Sequence, residues 1–392
     1  MKTHIDSLTF RRRGRMLGAA AAVLAGLAVL PAAAQDTIKI GVLTDETGRA
    51  AFYAKPVTQG VELAAKEINA AGGVLGKRIE LVIEDDGAKP DVSATKARKL
   101  VDEGVVAIIS NSSSPATQQA QTVSLEAKTP HITPANSGET LATQLDNPYF
   151  FQLGPLASTQ IKTLMSYTRA KNFKKVAVIS DNSGLSRIIA DVFEKNLKEN
   201  NIEVVASEII PIGSQTAVPQ MQKVRAAEPE AIFQAGIVGP QMAQFFKAYH
   251  QLGFKQPVLA SFNLSIPSYL TVAKDLMDGV AFIDAYDPAK PRTKEFIELY
   301  KKEYGEVPFS LPAYGYDGLH FVVDAIKRAG STDREKIREA MASTKNWQGV
   351  MGAQGTSVSL SPEDRRGFSP EGAVVRLIKD NNHGPVVHSG TK

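Results

Sequence analysis

Short apolar runs alternate with amphipathic stretches along most of the chain. Runs at 38–43, 79–83, 105–109, 176–179, 204–210, 231–233 and 279–283 predict strands. Between them apolar side chains recur at helical spacing. Val57, Val61, Ala64, Ala65 and Ile68 form one such stripe, and Ile161, Leu164, Met165 and Tyr167 another. Val192, Phe193 and Leu197, with Lys195 and Lys198 turned outward, form a third, and Met242, Phe245, Phe246 and Tyr249 a fourth. Strands separated by helices predict crossover units and parallel sheets, an α/β chain. The same grammar occurs across 37–150 and again across 155–283, divided by Leu153-Gly154-Pro155, so two similar α/β lobes are expected.

The first 34 residues stand outside this pattern. Arg11, Arg12, Arg13 and Arg15 precede an apolar run of 15 residues from Met16 to Leu30, and Ala32-Ala33-Ala34 offers a small-residue cleavage site before Gln35. The run is short of the roughly 20 residues that a spanning helix needs. It reads as a signal peptide cleaved near Ala34-Gln35, and the chain has no cysteine to carry a lipid anchor. The expected location is the periplasm. The leader also carries the basic surplus. With its five basic and one acidic residue taken out of 45 and 41, forty of each remain, so no cationic footprint for nucleic acid is present. The remaining length, about 358 residues, exceeds what one core serves. Zero cysteines exclude a disulfide framework, a zinc–thiolate site and a thiol nucleophile.

In open α/β sheets ligands bind beyond the carboxyl ends of the strands. Polar loops follow nearly every predicted strand here: 44–53 with Tyr53, 110–115, 133–137 with Asn136, 181–185, 234–236 and 261–263. In Ser112-Ser113-Ser114-Pro115, Pro115 suits the first helical position and Ser114 the N-cap, an end suited to a carboxylate. A capped helix without a ligand explains the same residues.

The stretch 38–73, with Ile-Gly-Val-Leu-Thr-Asp-Glu-Thr-Gly at 40–48, Tyr53, Gly60 and Glu67-Ile68-Asn69-Ala70-Ala71-Gly72-Gly73, resembles the branched-chain amino-acid (Leu/Ile/Val) binding proteins of ABC importers. Glu84-Asp85-Asp86 with Pro90, the serine loop, Ile132-Thr133-Pro134-Ala135 and Tyr314-Gly315-Tyr316-Asp317 extend the resemblance over nearly the whole chain after the leader. It implies a two-lobed, type I (Venus-flytrap) periplasmic binding protein, with parallel sheets flanked by helices and three hinge crossings. The implied lobes are 36–153 with 285–347, and 154–284 with 348–392. By position, Tyr53 covers the ligand, and Ser113, Ser114, the Ala135 backbone, Asn136 and Ser137 lie where its carboxylate is held. Leu185, Gln234, Phe262 and Asn263 face it from the second lobe. The implied partner is an ABC permease, and the protein is expected to act as a monomer.

Of three departures from the family, the first two shape the ligand reading and the third bears on stability. Ser261-Phe262-Asn263 has no acidic side chain where the family meets an α-ammonium, Leu185 stands for a tyrosine, and the family's cysteine pair is absent. Burying an ammonium without a paired charge costs several kcal/mol. An aromatic or aliphatic carboxylate is therefore expected ahead of a branched-chain amino acid, unless Asp284 or Tyr286 supplies the acid by folding inward. Asp85-Asp86 reads as a solvated turn, and Gly72–Lys77 lacks phosphate-loop spacing. The six histidines show no metal-ligand spacing, with His383 and His388 in a polar, solvated tail. No nucleophile–base pair stands out, so no enzyme, metal or cofactor is expected. A ligand-sensing protein for a signalling receptor has the same fold and stays open as the alternative.

Overall fold

A computed structural model describes residues 36–48 and 51–390; the leader, with its signal-peptide reading, lies outside them. Strand β1 (Thr37–Thr44), helix α1 (Ala51–Ala70), β2 (Arg78–Asp85), α2 (Pro90–Asp102), β3 (Ala107–Ser110), α3 (Ser114–Glu126), β4 (His131–Thr133) and β5 (Phe150–Gln152) follow in order. They build a parallel five-stranded sheet, β2-β1-β3-β4-β5. The chain then forms α4 (Ala157–Ala170), β6 (Lys175–Asp181), α5 (Gly184–Glu199), β7 (Glu203–Ile210), α6 (Val218–Ala226), β8 (Ala231–Gln234), α7 (Gly239–Gln251), β9 (Val258–Ala260), α8 (Pro267–Ala273) and β10 (Ala281–Asp284). Three helices come next, α9 (Pro291–Tyr304), α10 (Ser310–Ala329) and α11 (Arg334–Ala342), before the antiparallel pair β11 (Val374–Lys379) and β12 (Asn382–Ser389). The second sheet runs β12-β11-β10-β9-β8-β6-β7.

Both sheets are covered on both faces, which is why their strands read as continuous apolar runs. In the second sheet alternate residues serve opposite sides. Ala177, Ile179, Ile232 and Phe282 enter one core, and Val176, Val178, Phe233 and Ile283 the other. Phe296 and Tyr300 of α9, Phe321 and Val322 of α10, and Ile337 and Met341 of α11 share a core with Ile38, Ile40 and Val42 of β1. The chain therefore leaves the first sheet at 153–156, returns to it at 285–290, and departs again between 367 and 373, after a last pairing of Arg366 with Gln152 of β5. This is the two-lobed architecture with three crossings. Val350 and Leu360 still pack in the first core, and Trp347 meets the Phe321 ring edge-on at 5.4 Å.

Two sequence readings are corrected here. The residues around His383 and His388 form the hairpin β11–β12 and not a solvated tail. The His383 ring bonds the Leu264 carbonyl at 2.7 Å, and His388 meets the Ser166 hydroxyl at 2.8 Å. Alternation in 374–389 is broken by register shifts, so its strand signal is weak. Asp86 is buried too. It accepts hydrogen bonds from the Ser112 hydroxyl at 2.7 Å and the Ala88 N–H at 2.9 Å.

Candidate functional site

A cavity of about 30 Å³ lies where the carboxyl ends of both sheets meet. From the first sheet come Ala135 and Ser137, on the loop after β4, and Tyr53, in the first turn of α1. From the second come Phe262 and Ser265, after β9, and Asp284, the last residue of β10. Ser310, Leu311 and Tyr314 of α10 close the remaining side. The Tyr53 hydroxyl donates to the Ala135 carbonyl. Burial raises the phenols of Tyr53 and Tyr314 well above their ordinary value, so both are neutral donors at physiological pH. On its other side Phe262 borders an apolar recess of about 50 Å³ walled by Ile161, Ile188 and Val192.

Of the residues predicted from sequence, Tyr53, Ala135, Ser137 and Phe262 come together around this cavity. The others take neighbouring structural work. Helix α3 begins one residue earlier than the serine–proline pattern suggests, so Ser113 is its N-cap, with its Oγ accepting the Ala116 N–H at 3.4 Å. Ser114 sits inside the first turn and donates to Asn136 Oδ1 at 2.9 Å, while Asn136 Nδ2 donates to the Ser112 carbonyl at 3.4 Å. These bonds tie the loops after β3 and β4 together behind the cavity. Gln234 is fully buried, and its amide donates to the Ile237 carbonyl at 2.6 Å. Asn263 donates to that same carbonyl at 3.1 Å and accepts from Ser261. Leu185 is 55% exposed at the start of α5, outside the cavity lining.

Sequence reasoning had Asp284 only as a conditional candidate and did not have Ser310, Leu311 or Tyr314. A strand-end position marks Asp284. The α10 residues reach the site only through helix packing, which no local pattern records.

Asp284 is the one charged side chain among the cavity's lining residues. Its Oδ2 accepts from Arg376 Nη1 at 3.0 Å, its Oδ1 from the Ala285 N–H at 2.8 Å, and the Ser310 hydroxyl donates to the same carboxylate. Burial pushes the carboxyl up from its ordinary value, and the Arg376 charge pulls it back. A guanidinium keeps its proton in proteins. A neutral Asp284 would leave that buried cation uncompensated, so the pair is ionised. Among the described residues no group of three or more His, Asp or Glu is placed to hold a metal ion, and no helix is long and apolar enough to cross a membrane.

Comparison with known proteins places this arrangement. Residues 37–381 match the family described as periplasmic binding protein. The leucine-, isoleucine-, valine-, threonine- and alanine-binding protein of Pseudomonas aeruginosa is 27% identical over 335 residues, covering 82% of this chain and 86% of that protein. Among solved structures, the branched-chain amino acid transporter substrate binding protein LivJ of Streptococcus pneumoniae, in complex with isoleucine, aligns with a TM-score of 0.75 at 26% identity, over 90% of this chain and all of that one. A solute binding protein of an ABC transporter from Rhodopseudomonas palustris BisB5, in complex with 3,4-dihydroxybenzoic acid, aligns with a TM-score of 0.73 at 24% identity, over 91% and 97% of the two chains.

Proposed function

Because the chain belongs to the periplasmic binding protein family, we propose that it captures a small carboxylate between its two sheets and delivers it to an ABC permease. The observation that carries this reading is the convergence of both sheets' carboxyl ends on one cavity, with Tyr53, Ala135 and Ser137 on one side and Phe262 and Asp284 on the other. Tyr53, Phe262, Leu311 and Tyr314 supply apolar walls for an aliphatic or aromatic body. The Ser137 hydroxyl and the backbone of its loop supply donors for a carboxylate. A space of about 30 Å³ holds a water or two. A ligand the size of an amino acid therefore enters with the sheets further apart, and closure about the three crossings gains contacts from both sides that the open form lacks. The lobes in this reading are 36–153 with 285–367, and 154–284 with 368–392; the third crossing falls after Gly367 and not after 347, because Val350, Leu360 and the 365–367 segment stay with the first sheet. The protein works as an exported monomer after cleavage near Ala34-Gln35.

The test is a thermal-shift screen of the mature protein against L-leucine, L-valine, benzoate, 4-hydroxybenzoate and short aliphatic acids, followed by isothermal titration of those that stabilise. A stabilising acid that binds one to one supports the reading. Flat responses across the set rule it out.

A further inference from the structure

The Asp284–Arg376 pair joins the cavity to the far edge of the second sheet. Arg376, on β11, spends its guanidinium on three acceptors. Nε donates to the Gly384 carbonyl at 3.0 Å, Nη2 to the His383 carbonyl at 2.8 Å and Nη1 to Asp284 Oδ2 at 3.0 Å. It also lies against the rings of Phe282 and Tyr286, 5.9 and 5.7 Å from their centroids. Both side chains are nearly inaccessible, at 4% and 2%. The carboxylate is thus fixed in charge and in direction.

A carboxylate offers about four acceptor positions. Asp284 fills three, with Arg376, the Ala285 N–H and the Ser310 hydroxyl. One position is left over by these three bonds, and Asp284 is the one charged residue in the lining of the cavity. Across the same space lie Ser137 and the backbone of its loop, where the proposed function seats the ligand's own carboxylate. A ligand spanning the two therefore meets donors at one end and an anionic acceptor at the other. An acid that turned a bare apolar edge toward Asp284 would leave that buried acceptor unanswered and pay its desolvation.

We infer that Asp284, positioned by Arg376, is the residue that selects the ligand: it favours carboxylic acids that also carry a hydrogen-bond donor, an ammonium or a hydroxyl, over the same acids without one. The inference rests on the carboxylate-binding reading. It assigns the missing acidic partner to the end of β10, about twenty residues beyond the loop where the resemblance looked for it. Arg376 acts through Asp284 and does not touch the ligand.

The experiment is isothermal titration of two matched pairs, L-leucine against 4-methylpentanoate and 4-hydroxybenzoate against benzoate. Each is run with the wild-type protein, with Asp284→Asn, and with the double variant Asp284→Asn/Arg376→Gln. The double variant replaces the ion pair by two amides and so leaves no buried charge unpaired, should the single variant fail to fold. The wild type is expected to bind the donor-bearing member of at least one pair tenfold or more tighter. The folded variants are expected to shrink that ratio below about threefold, mainly by losing affinity for the donor-bearing acid. Discrimination in the leucine pair identifies the donor as an ammonium, and in the benzoate pair as a hydroxyl. Equal binding of both members by the wild type overturns the inference, as does a ratio that survives in the variants. If none of the four acids binds the wild type, the carboxylate reading itself falls, a result distinct from binding without discrimination.

Discussion

Gly60 of α1 and Gly315 of α10 let their helices meet backbone to backbone. A Cβ on Gly60 would sit 1.8 Å from the Pro312 carbonyl oxygen, and one on Gly315 would sit 1.8 Å from that of Val57. This contact sets the distance between Tyr53, two helix turns before Gly60, and Tyr314, beside Gly315. Both tyrosines line the cavity, so the glycine pair fixes the cavity's width on that side.

Gly60→Ala or Gly315→Ala is expected to destabilise the protein by about 3 kcal/mol, because rigid backbone and not a side-chain tip must yield. In an ordinary helix the same change is favourable by roughly 0.5–1 kcal/mol. Gly184, at the start of α5 with nothing within 4 Å of its would-be Cβ, is the control. Urea midpoints compare the three variants at equal slope. Equal stability of all three would remove the close approach as a constraint.

Tyr53→Phe keeps the ring but takes the donor from the Ala135 carbonyl. A neutral hydrogen bond of this kind is worth about 1 kcal/mol. The free protein should lose about 1 kcal/mol of stability with this internal bond, and the affinity for the best-bound acid should fall roughly fivefold as the Ala135 loop loses its tether to Tyr53. An affinity loss no larger than error takes the hydroxyl out of the site.

Ser113→Ala removes the N-cap of α3 and should cost about 1 kcal/mol of stability, while leaving ligand affinity within twofold. Leu185→Ala, at an exposed position, should change neither by a measurable amount. Chemical denaturation and titration on the same two proteins separate cap from contact. A tenfold loss of binding in either variant would return that residue to the cavity.

His131 is fully buried between the hydroxyls of Ser110 and Ser124, at 2.7 and 3.3 Å, and burial pushes its pKa from 6.5 down to about 3. The unfolded chain therefore takes up this proton before the folded one. The histidine's contribution is complete above about pH 6.5 and is lost as pH falls toward 3, at about 1.4 kcal/mol per unit. His131→Gln should flatten the acid limb of the stability profile between pH 6 and 4. An unchanged limb assigns the acid sensitivity elsewhere.

The fold was legible because strand and helix periods alternate clearly in the cores. The runs at 38–43 and 204–210 became β1 and β7 with ends within a residue or two. The hairpin at 374–389 escaped because bulges break its alternation and because Arg376 and His383 look like surface residues until the ion pair and the Leu264 carbonyl are in place. The site was legible as far as strand ends reach. Ala135, Ser137 and Phe262 lie directly after strands, Tyr53 stands in the first turn of the helix after β1, and Asp284 ends β10. Gln234 ends a strand and Asn263 follows one, yet both turn to the carbonyl of Ile237, a choice decided by loop geometry and not by residue type. Ser310 and Tyr314 lie on a helix whose register over the cavity depends on Gly60 and Gly315.

Asp284 and Arg376 are 92 positions apart, and the whole of α9, α10 and α11 is laid down between them on the other sheet. During synthesis β10 therefore emerges with an open edge and an anion lacking its cation. The second sheet cannot be sealed until β11 arrives, so the cavity is among the last parts of the molecule to be finished. Emerging from its N-terminus first, the chain leaves this corner unlocked until nearly all of it has appeared.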